Sequence, residues 1–473
     1  MAPCRGLGAL TVGIALTVGC VSVARAQDDP IPYRLDEGAE APPGRESGRV
    51  DAQHDFEPED GALLLPRAIL FVPKILLTAL FIPTVEGIAL AERLAALAAD
   101  EPLCEWGAAS HFGMHPVVAF RSGEGLAGGL TLGLTLLYDD AFGHGETLRA
   151  SARFLGRYVH AYDAWFGADR FLGSHVWVEV DGRYESNPGL HFRGIGLPDE
   201  QLPATAPPID PRGVGAETFF SRERFEATLV LGAASGARGS RVRVGGSATA
   251  SSTTFGSTYL DERSIESVYD TARLPGFGER VSTLELGTRV SFDGRDAAGL
   301  DGVGTRLDAF AGYVPRVDGF EYAHFAVDAR STLAVFHRNR TLTLRARIEA
   351  VIGKRARIPF DSLVHLGGVD RLRGYVEGRF RDRLGVLASL EYRYPIHQNV
   401  RGVLFFDTGT VASRAEELFD TEDDLRFGGG VGLLLGSTDG VATRLDLSYG
   451  GDGVQFFVTT DVSEGFDGRD PIR

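Results

Sequence analysis

The chain has 473 residues and a formal net charge of −16 at pH 7, which argues against a nucleic-acid surface and predicts no nucleic-acid partner. Its 61 glycines and 10% aromatic residues suit short strands joined by tight turns, so one large all-β barrel fits the length as well as two or three ordinary domains do. Cys104 is the one cysteine after residue 26, which excludes an intramolecular disulfide in a processed chain.

The first 26 residues have the pattern of a secretory signal peptide. Arg5 precedes an apolar run, and Ala24-Arg25-Ala26 forms a small-x-small cleavage site before Gln27. Lipidation at Cys20 is the alternative, although Thr17 is a poor residue three positions before such a cysteine. The sequence therefore predicts export from the cytoplasm.

Residues 27–60 are acidic, carry prolines and contain few aromatic residues, which predicts a disordered linker with no globular periplasmic domain. Residues 61–105 are the most apolar part of the mature chain. Only eleven uncharged residues separate Lys74 from Glu86, fewer than the roughly 20 that a spanning helix needs. Apolar residues near helical spacing from Thr84 to Ala99 predict a short amphipathic helix. This helix would lie on the inner rim of the barrel or enter its lumen as a plug; the alternative is a short packing helix with no separate role.

Residues 106–466 are predicted to form the barrel, because from Pro116 onward apolar and polar residues alternate with a period of two. The pattern is clearest where Leu342, Leu344, Ala346, Ile348 and Ala350 alternate with Thr341, Thr343, Arg345, Arg347 and Glu349. Charged residues on nearly every polar face, together with the signal peptide, favour a transmembrane antiparallel β-barrel over a soluble sandwich. The alternating segments predict about sixteen strands, and a polar tail, 467–473, follows them.

The longest interruptions of this alternation run from Leu197 to Ser221, from Phe255 to Arg280 and from Gly353 to Arg383. The last of them contains the stretch from Leu366 to Tyr375, which predicts a long loop between two strands. After the loop, the period places Glu391 and Asp407 on the inward face of neighbouring strands. A carboxylate shielded by protein is costly unless it is paired and hydrogen-bonded. The guanidinium of Arg373 could bridge both carboxylates through its five donors.

Three segments in this order carry a resemblance to a known family. They are Leu372-Arg373-Gly374-Tyr375, the strand Phe405 to Val411 with its Asp-Thr-Gly, and the strand Arg426 to Leu433 with Arg-x-x-x-Gly-x-Gly. Together they resemble the bacterial surface antigen superfamily, the barrels related to the outer-membrane assembly factor BamA and to two-partner secretion transporters. We expect the chain to depart from that family by lacking the periplasmic polypeptide-binding domains, and its last residue, Arg473, is not aromatic.

The resemblance implies that the Arg-Gly-Tyr tip folds back into the lumen, where Arg373 contacts Asp407 and Glu391. Gly374 would allow a tight turn, and Tyr375 would pack on the lumen wall. The predicted functional residues are Arg373, Gly374, Tyr375, Glu391, Asp407, Gly409 and Arg426.

The resemblance further implies a non-enzymatic barrel of the bacterial outer membrane that helps insert or translocate polypeptide or lipid. The alternative is a passive pore or structural barrel. No catalytic, metal-ligating or cofactor-binding residues are predicted, because His111, His115, His324 and His397 have no persuasive Ser-Asp partners and no metal-ligand spacing. The expected partners are outer-membrane lipid, an unfolded polypeptide or lipid substrate, and the barrel assembly machinery for the protein's own insertion.

Overall fold

The computed structural model describes residues 112–121, 130–139, 142, 146–155, 159–171, 174–196, 217–236, 240–259, 262–296, 302–335, 337–397, 400–418, 425–435 and 443–459. The predicted signal peptide, linker, apolar segment and polar tail lie outside these residues. The amphipathic helix at Thr84 to Ala99 therefore stays a prediction.

The described residues form β-strands joined by turns and a few single-turn 3-10 helices. The strands are β1 (Phe112–Arg121), β2 (Leu130–Asp139), β3 (Thr147–Leu155), β4 (Val159–Ala168), β5 (Val176–Phe192), β6 (Thr218–Ser235), β7 (Arg241–Ser257), β8 (Arg280–Asp293), β9 (Gly304–Val317), β10 (Phe320–Val335), β11 (His337–Gly353), β12 (Val364–Leu366), β13 (Phe380–Asp382), β14 (Leu384–His397), β15 (Val400–Ala412), β16 (Arg426–Leu435), β17 (Thr443–Gly450) and β18 (Gly453–Thr459). None of the helical turns within the described residues is long and apolar enough to cross a membrane.

Strands β1 to β11 and β14 to β18 follow one another in chain order around one sheet, and β18 returns to β1 to close it. Every pairing between neighbours is antiparallel, as short connections between sequential strands require. Strands β12 and β13 form a separate two-stranded sheet inside the connection from β11 to β14. The predicted all-β antiparallel barrel is thereby confirmed, whereas the figure of about sixteen strands for the complete chain stays a prediction.

The barrel carries apolar residues on its outer face and polar residues on its inner face, the reverse of a soluble protein. On β11, Leu344 and Ile348 point outward and expose 56% and 57% of their surface, whereas Arg347 and Glu349 on either side of Ile348 are buried. The same inversion on β2 leaves Leu132 and Leu134 exposed while Thr135 is buried. An apolar exterior around a polar interior is the pattern of a barrel in lipid.

An aromatic cluster closes over one end of the barrel, the end at which the connection between β11 and β14 emerges. Phe360 from that connection packs against Phe220 and Phe255 at ring-centroid distances of 5.2 and 4.8 Å. Residues between β7 and β8 join the cluster through Ile265 and Tyr269. The ends of several strands are therefore covered by packed side chains.

The predicted strand boundaries at this end need a correction. The sequence predicted interruptions from Leu197 to Ser221 and from Phe255 to Arg280, but β6 already begins at Thr218, and β7 continues to Ser257. The aromatic residues at these strand ends are buried in the cluster, so strand pairing persists beyond the point where alternation along one strand stops being visible.

The closed sheet leads to a first prediction about gel mobility. A closed barrel leaves no free strand edge and resists unfolding by detergent without heat. Purified protein loaded in sodium dodecyl sulfate without boiling is expected to migrate at a different position from the boiled sample. Identical migration before and after boiling would contradict the closed barrel.

Candidate functional site

The long loop, residues 354–383 between β11 and β14, folds back against the inner wall. Its residues Leu366, Leu372, Tyr375 and Phe380 form a buried apolar cluster with Leu387 of β14 and Val411 of β15. The pairing of β12 with β13 joins the two sides of this loop through Leu366 and Phe380. Burial of this apolar surface is what holds the loop inside the barrel rather than in solvent.

The tip of the loop has an unusual backbone conformation. Leu372 and Gly374 both have φ near +100°, a region that side chains other than glycine rarely occupy. Leu372 is held there with 1% of its surface exposed. At Gly374 a Cβ atom would lie 2.8 Å from the carbonyl oxygen of Tyr449, so the close approach to that residue also requires glycine.

The conformation of the tip aims Arg373 at the two inward carboxylates. Its Nε and Nη2 donate hydrogen bonds to the two oxygens of Asp407 at 2.7 and 2.8 Å, and its backbone N–H donates to Asp407 Oδ2 at 3.0 Å. Its Nη1 donates to Glu391 Oε2 at 2.9 Å. One guanidinium therefore spans β14 and β15 in the bidentate geometry that only arginine provides.

The guanidinium of Arg373 also stacks on an aromatic ring. Its central carbon lies 3.6 Å from the ring centroid of Phe405, the residue two before Asp407. Burial alone would lower the pKa of Arg373, but the charges of Asp407 and Glu391 outweigh it and raise the pKa above its ordinary value. The side chain is therefore a permanent cation at this site.

The ionic network continues onto two further arginines. Arg393 donates to Glu391 at 2.7 Å, and Arg444 on β17 donates to Glu391 at 2.8 Å and to Asp446 at 2.6 Å. All of these side chains are almost fully buried. Three arginines thus face three carboxylates, which balances the charge of a site that water scarcely reaches.

The sequence analysis missed part of this network. Arg444 and Asp446 were not singled out, although their i, i+2 spacing on a strand places them on one face. Phe405 was read only as part of a motif. The Arg-x-Asp pattern of these two residues, on a strand close to the Arg-Gly-Tyr loop, could have predicted that they join the network.

The remaining predicted residues lie around the base of the loop. The Tyr375 ring packs on Phe380 at a centroid distance of 5.1 Å. Gly409 is the Cα partner of Arg426 across β15 and β16, and the Arg426 guanidinium carbon lies 5.8 Å from the Phe380 ring. Arg426 thus borders the apolar cluster, and its functional role, like that of the other residues, stays a prediction.

A match to a known family accounts for this arrangement. The sequence matches the Omp85 superfamily domain over residues 141–452, a range that includes the long loop and both carboxylate-bearing strands. The chain belongs to the Omp85 superfamily. The resemblance to BamA-like and two-partner secretion barrels predicted from the sequence is confirmed by this match.

Solved structures of similar shape include BamA from Haemophilus ducreyi lacking POTRA domains 1–3, with a TM-score of 0.50, 15% identity, and coverage of 74% of this chain and 70% of that one. CdiB from Escherichia coli gives a TM-score of 0.48 at 14% identity, covering 76% and 63%, and CdiB from Acinetobacter baumannii 0.45 at 12%, covering 74% and 59%. The chain therefore spans less than two thirds of either CdiB chain. No curated protein matches it.

In this Omp85 barrel a second ionic contact holds the other side of the long loop. Asp361 accepts hydrogen bonds from Arg222 of β6 at 2.9 Å and from Arg381 of β13 at 3.0 Å. Burial alone would raise the pKa of Asp361, but the two guanidinium groups hold it below its usual range. The loop is thus tied to β6 on one side and to β14 and β15 on the other.

The charged contacts of the site hold the long loop in place. Asp407 and Glu391 accept hydrogen bonds from guanidinium groups, which stay protonated near neutral pH. Across the described part of the chain, no group of three or more His, Cys, Asp or Glu side chains is placed to hold a metal ion. The arrangement holds the long loop against β14 and β15.

Proposed function

We propose that this Omp85 barrel lies in the bacterial outer membrane and helps insert or translocate polypeptide or lipid there, without catalysing a reaction. The observation that carries the proposal is the contact of Arg373 with Asp407 and Glu391, which ties a long internal loop to the barrel wall. The exposed apolar exterior and the predicted signal peptide support the location. The barrel of the complete chain would have about sixteen strands.

The seam, meaning the pairing between β1 and β18, supports a lateral route for the substrate. Ala119 to Arg121 pair there with Phe457 to Thr459, and this junction joins the first strand of the sheet to the last. No connecting turn links these two strands, so they can separate without breaking a hairpin. A substrate would leave the lumen for the bilayer at that point.

The proposed partners follow from this role. They are outer-membrane lipid around the exterior, an unfolded polypeptide or lipid as the substrate, and the barrel assembly machinery for the protein's own insertion. A passive pore or structural barrel is the second candidate, because charged side chains on the inner face of the barrel, such as Arg347 and Glu349, would also suit a water-filled channel.

Depletion of the protein in its own cell separates the two functions. Under the proposal, depletion is expected to lower the amount of assembled outer-membrane protein or lipid, because their insertion slows. Wild-type protein should restore it, and Glu416→Gln, which alters an exposed ion pair, should do so equally well. Normal outer-membrane composition in depleted cells would favour the passive pore.

A further inference from the structure

We infer that Asp452 is a positioning residue that fastens the last hairpin, β17 and β18, to the long loop, so that the loop determines how firmly β18 stays paired with β1. This inference rests on the proposed function in so far as the seam is where substrate leaves. It adds the element that controls the seam.

Asp452 lies in the turn of the last hairpin, and its carboxylate binds the long loop. Asp452 Oδ1 accepts a hydrogen bond from Arg379 Nε at 3.0 Å, and Oδ2 accepts one from the backbone N–H of Val376 at 3.2 Å. Arg193, just after β5, approaches the same carboxylate at 3.9 Å. The Asp452 and Arg379 side chains expose only 10% and 13% of their surface, so water competes weakly for these contacts.

Close contacts at two glycines join the long loop to the hairpin in addition to the hydrogen bonds of the Asp452 carboxylate. Besides the approach of Gly374 to Tyr449, a Cβ atom on Gly451 would lie 2.8 Å from the ring of Tyr375. The backbone of Gly374 and the ring of Tyr375 therefore both lie directly against the hairpin turn. Because the tip is also held by Arg373, the hairpin is connected through it to Asp407 on β15.

The pairing of β18 shows why this connection matters for the seam. β18 pairs with β17, to which a tight turn joins it, and with β1, to which no turn joins it. Strand pairing alone therefore resists a displacement of β18 away from β1. A charge-assisted hydrogen bond from the loop to the hairpin turn adds a further restraint on the position of β18.

Hydrogen exchange in lipid nanodiscs tests the inference, with Asp452→Asn compared with wild type. Exchange in peptides from Phe112–Arg121 and Gly453–Thr459 is expected to become about tenfold faster, because losing a charge-assisted hydrogen bond shifts the opening equilibrium by roughly that factor. Peptides from β6 and β7 should keep their wild-type rates. Glu416→Gln is the matched control, since its ion pair with Arg414 is exposed at the same end of the barrel.

A seam tether shows whether opening of the seam is the cause. Ala119 and Thr459 are Cα partners, so Ala119→Cys with Thr459→Cys in a Cys104→Ser background allows a disulfide across the seam. In Asp452→Asn the tether is expected to restore slow exchange in β1 and β18. If Asp452→Asn does not fold, Arg379→Gln removes the same ion pair from the other side.

Four results would overturn the inference: unchanged exchange at the seam, faster exchange only within residues 367–383, an equal increase throughout the barrel, or an increase that the tether does not reverse. Each outcome is independent of transport. If seam exchange responds as expected while depletion leaves the outer membrane normal, the proposed function fails and the coupling stands. If depletion impairs assembly while seam exchange is unchanged, the coupling alone fails.

Discussion

Arg373→Ala is expected to lower the free energy of unfolding by about 3 to 5 kcal/mol, because it leaves a buried carboxylate without its partner. The cost arises at Asp407, whose side chain is only 2% accessible to solvent and accepts three hydrogen bonds from Arg373. Glu391 loses less, since Arg393 and Arg444 still contact it. Chemical denaturation followed by tryptophan fluorescence measures the change.

A double-mutant cycle isolates the ion pair from other effects of the substitution. Asp407→Asn keeps the shape of the side chain but leaves the guanidinium of Arg373 with Glu391 alone. The double variant is expected to lose less than the sum of the single variants, by about 1 to 3 kcal/mol, because removing both charges leaves neither unpaired. Arg414→Ala, at an exposed pair, serves as the control and should cost about 0 to 1 kcal/mol.

Strictly additive losses in this cycle would mean that Arg373 and Asp407 do not interact in solution. Losses no larger than that of Arg414→Ala would mean that water reaches the site and screens the charges. In either case the loop would be an ordinary excursion rather than a docked element.

Shortening the long loop is expected to raise ion conductance several-fold. Leu366 and Phe380 are Cα partners, so residues 367–379 can be replaced by a two-residue Asn-Gly turn that keeps β12 paired with β13. The removed segment contacts the inner face of β11, where Arg345 donates to the Asp370 carbonyl at 2.8 Å, and reaches Asp407 on β15. Its removal therefore clears space across the lumen. Planar-bilayer recordings measure the conductance.

Arg373→Ala is the matched control for the deletion, since it loosens the segment without removing it. Its conductance is expected to fluctuate between the wild-type and the deletion level. Unchanged conductance in a deletion variant that keeps its heat-dependent gel mobility would show that the loop does not obstruct the lumen.

The alternation of residues along single strands was enough to predict the fold and the core of the site. The period through Leu390, Glu391 and Tyr392 placed the carboxylate inward, and the structure buries Glu391 while Leu390 is exposed. The same reasoning placed Asp407 inward. Both predictions depend on one strand at a time, which is why a sequence without alignment sufficed.

Contacts that depend on distant segments were beyond this reasoning. The hairpin of β12 and β13, the ion pair of Arg222 with Asp361, and the contact of Arg379 with Asp452 each join residues whose spacing shows no period. The degree of burial of Arg373 also depends on several segments at once, and the structure leaves 6% of its surface exposed.

The most direct test of the proposed function is reconstitution of the purified protein in liposomes with a urea-denatured outer-membrane barrel as substrate. Folding of the substrate is followed by its shift in gel mobility. The proposal predicts faster folding than in protein-free liposomes, and loss of the acceleration with an Arg373→Ala variant that is itself folded. Substrate folding at the protein-free rate, in liposomes through which the wild-type protein conducts ions, would contradict it and identify a passive pore.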